Sequence, residues 1–123
     1  MVKPLFDTNI LIDYLNAVPQ AAEEFDRYDT AAISIITWME VLAGAGPDVA
    51  DATRRFLAGF QIVSLEASVA ERAVEIRQEY RIKLPDAIIW ATADTNSMLL
   101  VTRNSKDFPA DAPGVRIPYV LSA

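Results

Sequence analysis

Short apolar runs alternate along this chain with longer segments whose apolar residues recur at helical spacing. The runs that are short enough for strands are Val2–Phe6, Ala31–Ser34, Phe60–Leu65, Met98–Thr102 and Val115–Val120. Each of the first three is followed by two helical patterns, and the last two follow one another directly. Strands that are separated by helices pair in parallel. The alternation therefore predicts a parallel α/β sandwich and excludes all-helical and all-β folds.

Capping residues and prolines predict where the helices begin. Thr8 or Asn9 is expected to cap the first helix, because short polar side chains satisfy the free amides of a first turn. Pro85 suits the first turn of the last helix, and that helix is apolar on nearly every side over Ala87–Ala93. We therefore expect it to be buried at the centre of the molecule. The other helices are expected to begin after Pro19, at Ser34 or Thr37, at Pro47 and at Ser68.

The length and composition limit the chemistry that is available. The chain has 123 residues, 52% of them hydrophobic, so we expect one compact domain over residues 1–123. It contains no Cys and no His, which excludes disulfides, thiol catalysis and the commonest general base and metal ligand. With 11 basic and 17 acidic residues the net charge is −6, so no global positive field attracts a polyanion. An enzyme with this composition must use carboxylates, hydroxyls, amides and cations.

The chain shows no targeting pattern in its first residues. Met1–Phe6 reaches the charged Asp7 before an apolar segment of useful length has formed. The longest apolar stretches fall far short of the ~20 residues that span a bilayer. We therefore expect a cytoplasmic protein that does not enter a membrane.

Four acids are placed where a parallel sheet gathers its ligands. Asp7 follows the first strand, Asp107 lies a few residues past the fourth, and Asp86 stands in the first turn of the helix before that strand. Glu40 lies within an apolar helical pattern. Ligands of such sheets bind beyond the carboxyl ends of the strands. Carboxylates crowded at that edge repel one another unless a divalent cation neutralises them, and oxygen donors favour Mg²⁺ or Mn²⁺.

Each acid also has an ordinary structural interpretation. Asp7 could cap a helix or stabilise a turn, and Asp86 could complement a helix dipole. Glu40 could extend from its helix to solvent, and Asp107 precedes Phe108-Pro109 as turn residues do. The functional interpretation depends on the four acids together.

Four segments resemble the signature blocks of a known family. They are residues 7–13, 34–44, 84–93 and 102–108, with Asp7-Thr8-Asn9 at the start of the first and Thr102-Arg103-Asn104 at the start of the last. In this order they resemble PIN-domain ribonucleases, above all the VapC-type toxins of bacterial toxin–antitoxin pairs. The resemblance implies a PIN-like three-layer α/β/α sandwich around a parallel sheet of about five strands.

The resemblance also implies which residues form the active site. Asp7, Glu40, Asp86 and Asp107 would be the catalytic acids, and Asp7 and Asp86 direct ligands of Mg²⁺ or Mn²⁺, with Glu40 and Asp107 completing the metal site. Many relatives carry an acid at the position of Asn104, whereas a common variant has Asn there and Asp at the position of Asp107, as here. The polar residues expected to orient these carboxylates are Thr8, Asn9, Thr37, Thr102 and Asn104.

The implied activity is endoribonuclease cleavage, in which a metal-activated water hydrolyses an RNA phosphodiester and leaves a 5′-phosphate and a 3′-hydroxyl. The resemblance further implies a homodimer and a small VapB-type antitoxin that masks the site. Since the chain is acidic overall, RNA affinity must come from local cations. The basic residues next in sequence to the proposed ligands are Arg81, Lys83, Arg103 and Lys106.

Two other functions are compatible with a parallel sheet of this kind. A non-catalytic PIN-fold module would bind a partner only, although the three expected acids Asp7, Glu40 and Asp86 speak against it. A phosphoacceptor domain would use Asp7 as a phosphorylated nucleophile. That chemistry also needs a paired acid at the start and a Lys after a late strand, and neither is evident beside Asp7 or Thr102.

Overall fold

A computed structural model describes residues 2–121 of the chain, in which six α-helices surround five strands. The strands are β1 (Pro4–Phe6), β2 (Ala32–Ser34), β3 (Gln61–Val63), β4 (Leu99–Val101) and β5 (Val115–Arg116). The helices are α1 (Thr8–Leu15), α2 (Pro19–Asp26), α3 (Ile35–Gly44), α4 (Ala50–Leu57), α5 (Ala67–Tyr80) and α6 (Leu84–Thr95). No helix in this part of the chain is long and apolar enough to cross a membrane.

The five strands form one parallel sheet in the order β3-β2-β1-β4-β5. From β1 the chain moves outward through β2 to β3, then crosses back and adds β4 and β5 on the other side. The strand order therefore reverses between β1 and β4, where Phe6 is in register with Val101. In open parallel sheets the ligand site lies at this switch point, outside the carboxyl ends of the two strands.

Alternate residues of the central strand face two separate hydrophobic cores. Leu5 packs on one face with α5 and α6, where Val69, Ala73 and Ile76 are buried. Phe6 packs on the other face with α1, α2 and α4. Because side chains alternate along a strand, this arrangement gives three layers. The predicted α/β/α sandwich with a parallel sheet of five strands is confirmed.

The element boundaries differ from the sequence prediction in three places. Asp7, rather than Thr8 or Asn9, caps α1, because its carboxylate accepts from the Thr8 amide at 2.7 Å. The segment after Pro47 begins as a 3₁₀ turn, and α4 starts only at Ala50. The last strand ends at Arg116, so Pro118 lies beyond the sheet. Each strand is shorter than its apolar run, and β1 and β2 lose residues only at their amino-terminal ends.

Candidate active site

Asp7 lies at the switch point, directly after the central strand. Its side chain is 3% exposed. The Thr102 hydroxyl donates to Asp7 Oδ2 at 2.8 Å, and the Asn9 amide nitrogen lies 3.3 Å from the same oxygen. Burial raises the pKa of Asp7 to about 6, against the lowering effect of the bonds from Thr102 and Thr8. A carboxylate held this way is oriented but poorly solvated, so it favours a cation.

Glu40 is on α3, on the β2 side of Asp7. The sequence places it within an apolar helical pattern, and in the structure its side chain is exposed. The Thr8 hydroxyl donates to Glu40 Oε1 at 2.7 Å and lies 2.9 Å from the hydroxyl of the buried Thr37. The two threonines therefore hold Glu40 on the side of the helix that faces Asp7.

Asp86 and Asp107 lie on the β4 side of the site. Partial burial raises the pKa of Asp86, and the charges of Asp107 and Glu40 raise it further, while Lys83 lowers it. The charges of Asp86 and Glu40 likewise raise the pKa of Asp7. These couplings mean that the four acids from different parts of the sequence share one electrostatic environment.

The loop after β4 is organised around the hydroxyl of Thr102. The backbone amide of Asn104 donates to this hydroxyl at 3.1 Å, and the side-chain amide of Asn104 donates to Asp107 Oδ2 at 2.9 Å. Asp107 therefore makes a turn-stabilising hydrogen bond, as its structural interpretation predicted. Its charge also raises the pKa of Asp86. The five residues predicted to orient the acids all make hydrogen bonds within this network: Thr8, Asn9, Thr37, Thr102 and Asn104.

Among the buried acids of residues 2–121, Asp13 and Glu24 are each paired with an arginine, whereas Asp7 has no cationic partner. The ion pairs among residues 2–121 involve Asp13, Glu24, Glu75 and Asp94, and none involves an acid of the candidate site. A buried carboxylate without a cation is costly, and Asp7 is the clearest case. Oxygen donors with unbalanced negative charge fit a hard divalent cation. Within these residues, however, no three acids are drawn together as a ready-made metal cage.

The four predicted RNA-contacting cations are not equivalent. Arg81, Lys83 and Lys106 are exposed. Arg103 instead forms a two-pronged ion pair with Asp13, with Nε 2.5 Å from Oδ2 and Nη2 3.0 Å from Oδ1. Sequence reasoning missed Asp13 because its partner is 90 residues away. The guanidinium of Arg103 is therefore occupied, and we do not retain it as a phosphate contact.

An apolar cavity of about 480 Å³ opens beside Glu40. It lies between α1, α3 and the start of α4, and its lining includes the exposed side chains of Ile12, Leu15 and Val49. The sequence offered no signal for it, because it is formed by helices that are distant in the chain. It places exposed apolar surface next to the acids.

The fold and the site together define a class: parallel three-layer α/β/α proteins with a buried carboxylate at the switch point of the sheet. A family model of the PIN domain matches residues 5–110. The chain is 30% identical over 113 residues to Ribonuclease VapC10 of Mycobacterium tuberculosis, a match that covers 85% of each chain. The chain therefore belongs to the PIN-domain family, among its VapC-type ribonucleases.

Solved structures agree with this assignment. The chain superimposes on a toxin–antitoxin complex from Klebsiella pneumoniae with a TM-score of 0.92 and 48% identity, covering 96% of this chain and 99% of that one. A DNA-bound VapBC from Salmonella typhimurium matches with a TM-score of 0.76 and 25% identity, over 94% and 96% of the two chains. The family, the fold and the class of ribonuclease toxin predicted from the sequence are confirmed.

Proposed function

We propose that this chain is the ribonuclease of a toxin–antitoxin pair and that it hydrolyses RNA with Mg²⁺ or Mn²⁺ held by Asp7, Asp86, Glu40 and Asp107. One observation carries the proposal: Asp7 is buried at the switch point, oriented by three neighbours and not paired with any cation. When bound, the ion lowers the pKa of an attacking water and neutralises charge on the phosphate.

The side chains around the acids have distinct tasks in this reaction. Thr102 and the Thr8 amide bind the charged form of Asp7 and keep it ionised at neutral pH despite its burial. Thr8 fixes the Glu40 carboxylate, and Asn104 fixes Asp107. These bonds leave the remaining carboxylate lone pairs free for an ion and for the water that attacks phosphorus.

Exposed cations at the rim would bind the RNA backbone. Lys83 lies three residues before Asp86 and lowers its pKa, so its ammonium is close enough to interact with that carboxylate. Arg81 and Lys106 are exposed nearby in sequence. Three cations are few for a polyanion, and we expect RNA binding to be weak, sensitive to salt and dependent on the metal.

The antitoxin would cover the same site. An apolar segment of a VapB-type partner fits the cavity beside Glu40, and a basic side chain at its end would take the place of the metal among the acids. We further propose that the toxin acts as a homodimer in the cytoplasm.

The reaction is tested with purified protein and a 5′-labelled structured RNA in Mg²⁺ or in EDTA. The variants are Asp7→Asn and Asp86→Asn, and the matched control is Asp29→Asn, an exposed acid in the loop before β2, at the opposite edge of the sheet. We expect wild type and Asp29→Asn to cleave in Mg²⁺ only, and to give labelled fragments that end in a 3′-hydroxyl. Cleavage that persists in EDTA, or in both site variants, would contradict the proposal, whereas binding without cleavage would indicate a non-catalytic module.

A further inference from the structure

A cluster of three polar residues adjoins the candidate site without including any of its four acids. Asp13 on α1 is 4% exposed, and both of its oxygens bind the guanidinium of Arg103. The hydroxyl of Tyr119, from the segment after β5, donates to Asp13 Oδ2 at 2.9 Å. The cluster of Asp13, Arg103 and Tyr119 thus joins the first helix, the loop after β4 and the last segment of the chain.

The cluster connects to Asp7 through one residue. The backbone amide of Arg103 donates to Asn9 Oδ1 at 3.3 Å. Since an amide group is planar, fixing its oxygen directs its nitrogen to the opposite side, where Asn9 Nδ2 lies 3.2 Å from the Thr102 hydroxyl and 3.3 Å from Asp7 Oδ2. The position of Arg103 therefore determines the orientation of a group that touches Asp7.

The same cluster also fixes the loop that carries Asp107. Arg103 follows Thr102 directly and precedes Asn104, which bonds to Asp107. Because its guanidinium is bound to Asp13, Arg103 anchors the loop between Thr102 and Asn104. These two residues contact the site acids Asp7 and Asp107. Asn9 and Asp13 lie four residues apart on one face of α1, so one helix face presents both anchor points.

A cluster around Glu24 also consists of a buried carboxylate, an arginine and a tyrosine, but it has no side-chain link to the site. Glu24 on α2 is 3% exposed, is gripped by both sides of the Arg116 guanidinium at 2.7 and 3.0 Å, and accepts from the Tyr28 hydroxyl at 3.0 Å. It ties α2 to β5, and its side-chain hydrogen bonds reach neither a site acid nor Asn9. The Glu24 cluster is therefore a matched control for the cluster of Asp13, Arg103 and Tyr119.

We propose that Asp13, Arg103 and Tyr119 are positioning residues for the metal site, which makes the docked C-terminal segment a part of the catalytic apparatus. The inference rests on the proposed function, because it assigns these residues to the alignment of Asp7 and Asp107. A purely structural role, such as that of the Glu24 cluster, would change stability without changing how the folded protein binds metal.

The experiment compares Tyr119→Phe with Tyr28→Phe, each of which removes one hydroxyl from a buried carboxylate that an arginine holds. Asp13→Asn is the stronger variant. Mn²⁺ binding is followed by electron paramagnetic resonance well below the melting temperature, melting is followed by circular dichroism, and kcat and KM are measured for RNA cleavage. Polar groups that orient metal ligands contribute about 10–100-fold to affinity or activity.

We expect Tyr119→Phe and Asp13→Asn to weaken Mn²⁺ binding and lower kcat about 10-fold or more, with KM changed less than about twofold. Tyr28→Phe should bind Mn²⁺ as wild type does, even where its melting temperature falls by a similar amount. The inference is wrong if Tyr119→Phe binds Mn²⁺ within twofold of wild type, or if Tyr28→Phe weakens binding equally. A wild type that binds Mn²⁺ without cleaving RNA would instead overturn the proposed function.

Discussion

Replacing Asp7 with Asn should abolish cleavage and yet stabilise the metal-free protein. Burial gives Asp7 a pKa of about 6 in the folded state, whereas its ordinary value is 3.8. The folded chain therefore holds more protons than the unfolded chain between these values, and stability falls as pH rises through this window. A difference of about 2 between the two pKa values corresponds to about 3 kcal/mol, and the loss is complete above about pH 7.

The size of the effect follows from the same two pKa values. Ionising Asp7 in the folded chain costs about 3 kcal/mol at pH 8 and about half as much at pH 5, and Asn removes this cost at both. The Thr102 hydroxyl, which now donates to Asp7, has to reorient, and this costs the variant about 1 kcal/mol. Asp7→Asn should therefore be more stable than wild type by about 2 kcal/mol at pH 8 and by less than about 1 kcal/mol at pH 5.

Urea denaturation in EDTA at both pH values measures this difference, with Asp29→Asn as the control for the loss of an exposed charge. The stability advantage of the variant should shrink by more than about 1 kcal/mol from pH 8 to pH 5, and this change does not depend on the hydrogen-bond cost. The reasoning is refuted if Asp7→Asn is less stable than wild type by the same amount at pH 5 and pH 8, because Asp7 would then be a stabilising charge.

Three further outcomes are expected. Thr102→Val removes a bond that lowers the pKa of Asp7, so it should move the acidic limb of the pH–rate profile to higher pH and lower kcat about 10–100-fold; an unmoved limb would speak against this role of Thr102. Mg²⁺ at 100 times its Kd should stabilise wild type by about 2.7 kcal/mol in thermal melts, and an equal gain for Asp86→Asn would place the ion elsewhere. Trp90→Ala, which empties a buried site between Tyr80 and Phe108, should cost about 3–5 kcal/mol in urea unfolding, and a cost below 1 kcal/mol would mean that the core refills.

Local patterns were sufficient to predict the elements and the acids. The alternation of apolar runs and helical patterns defines a parallel sheet, and in such a sheet residues that directly follow strands meet at one edge. This rule located Asp7, which directly follows β1, and the loop after β4, in which Asp107 lies six residues past Val101. The structural and the functional interpretation of Asp7 are compatible, because the carboxylate that caps α1 also lies at the switch point of the sheet.

Tertiary contacts explain what local patterns could not predict. The pairing of β1 with β4 joins segments about 90 residues apart, and no local signal specifies it. Arg103 was proposed as an RNA contact because it is close in sequence to a proposed metal ligand. In the structure it binds Asp13, a carboxylate that is distant in the chain. The apolar pattern of α3 left open whether Glu40 reaches solvent, and its side of the helix opens onto the cavity and is exposed. The last residues of β1 and β2 agree with the prediction because Asp7 and Ser34 cap helices that begin immediately, whereas β5 stops at Arg116, four residues before the predicted end at Val120.

The most direct test of the account is the location of the metal. Crystals grown with Mn²⁺ allow the ion to be placed by anomalous diffraction, independently of any assay of activity. We predict one main peak at coordination distance from carboxylate oxygens of Asp7 and Asp86, at the switch point between β1 and β4. A main peak that no oxygen of Asp7 contacts would contradict the claim that these carboxylates form the catalytic centre.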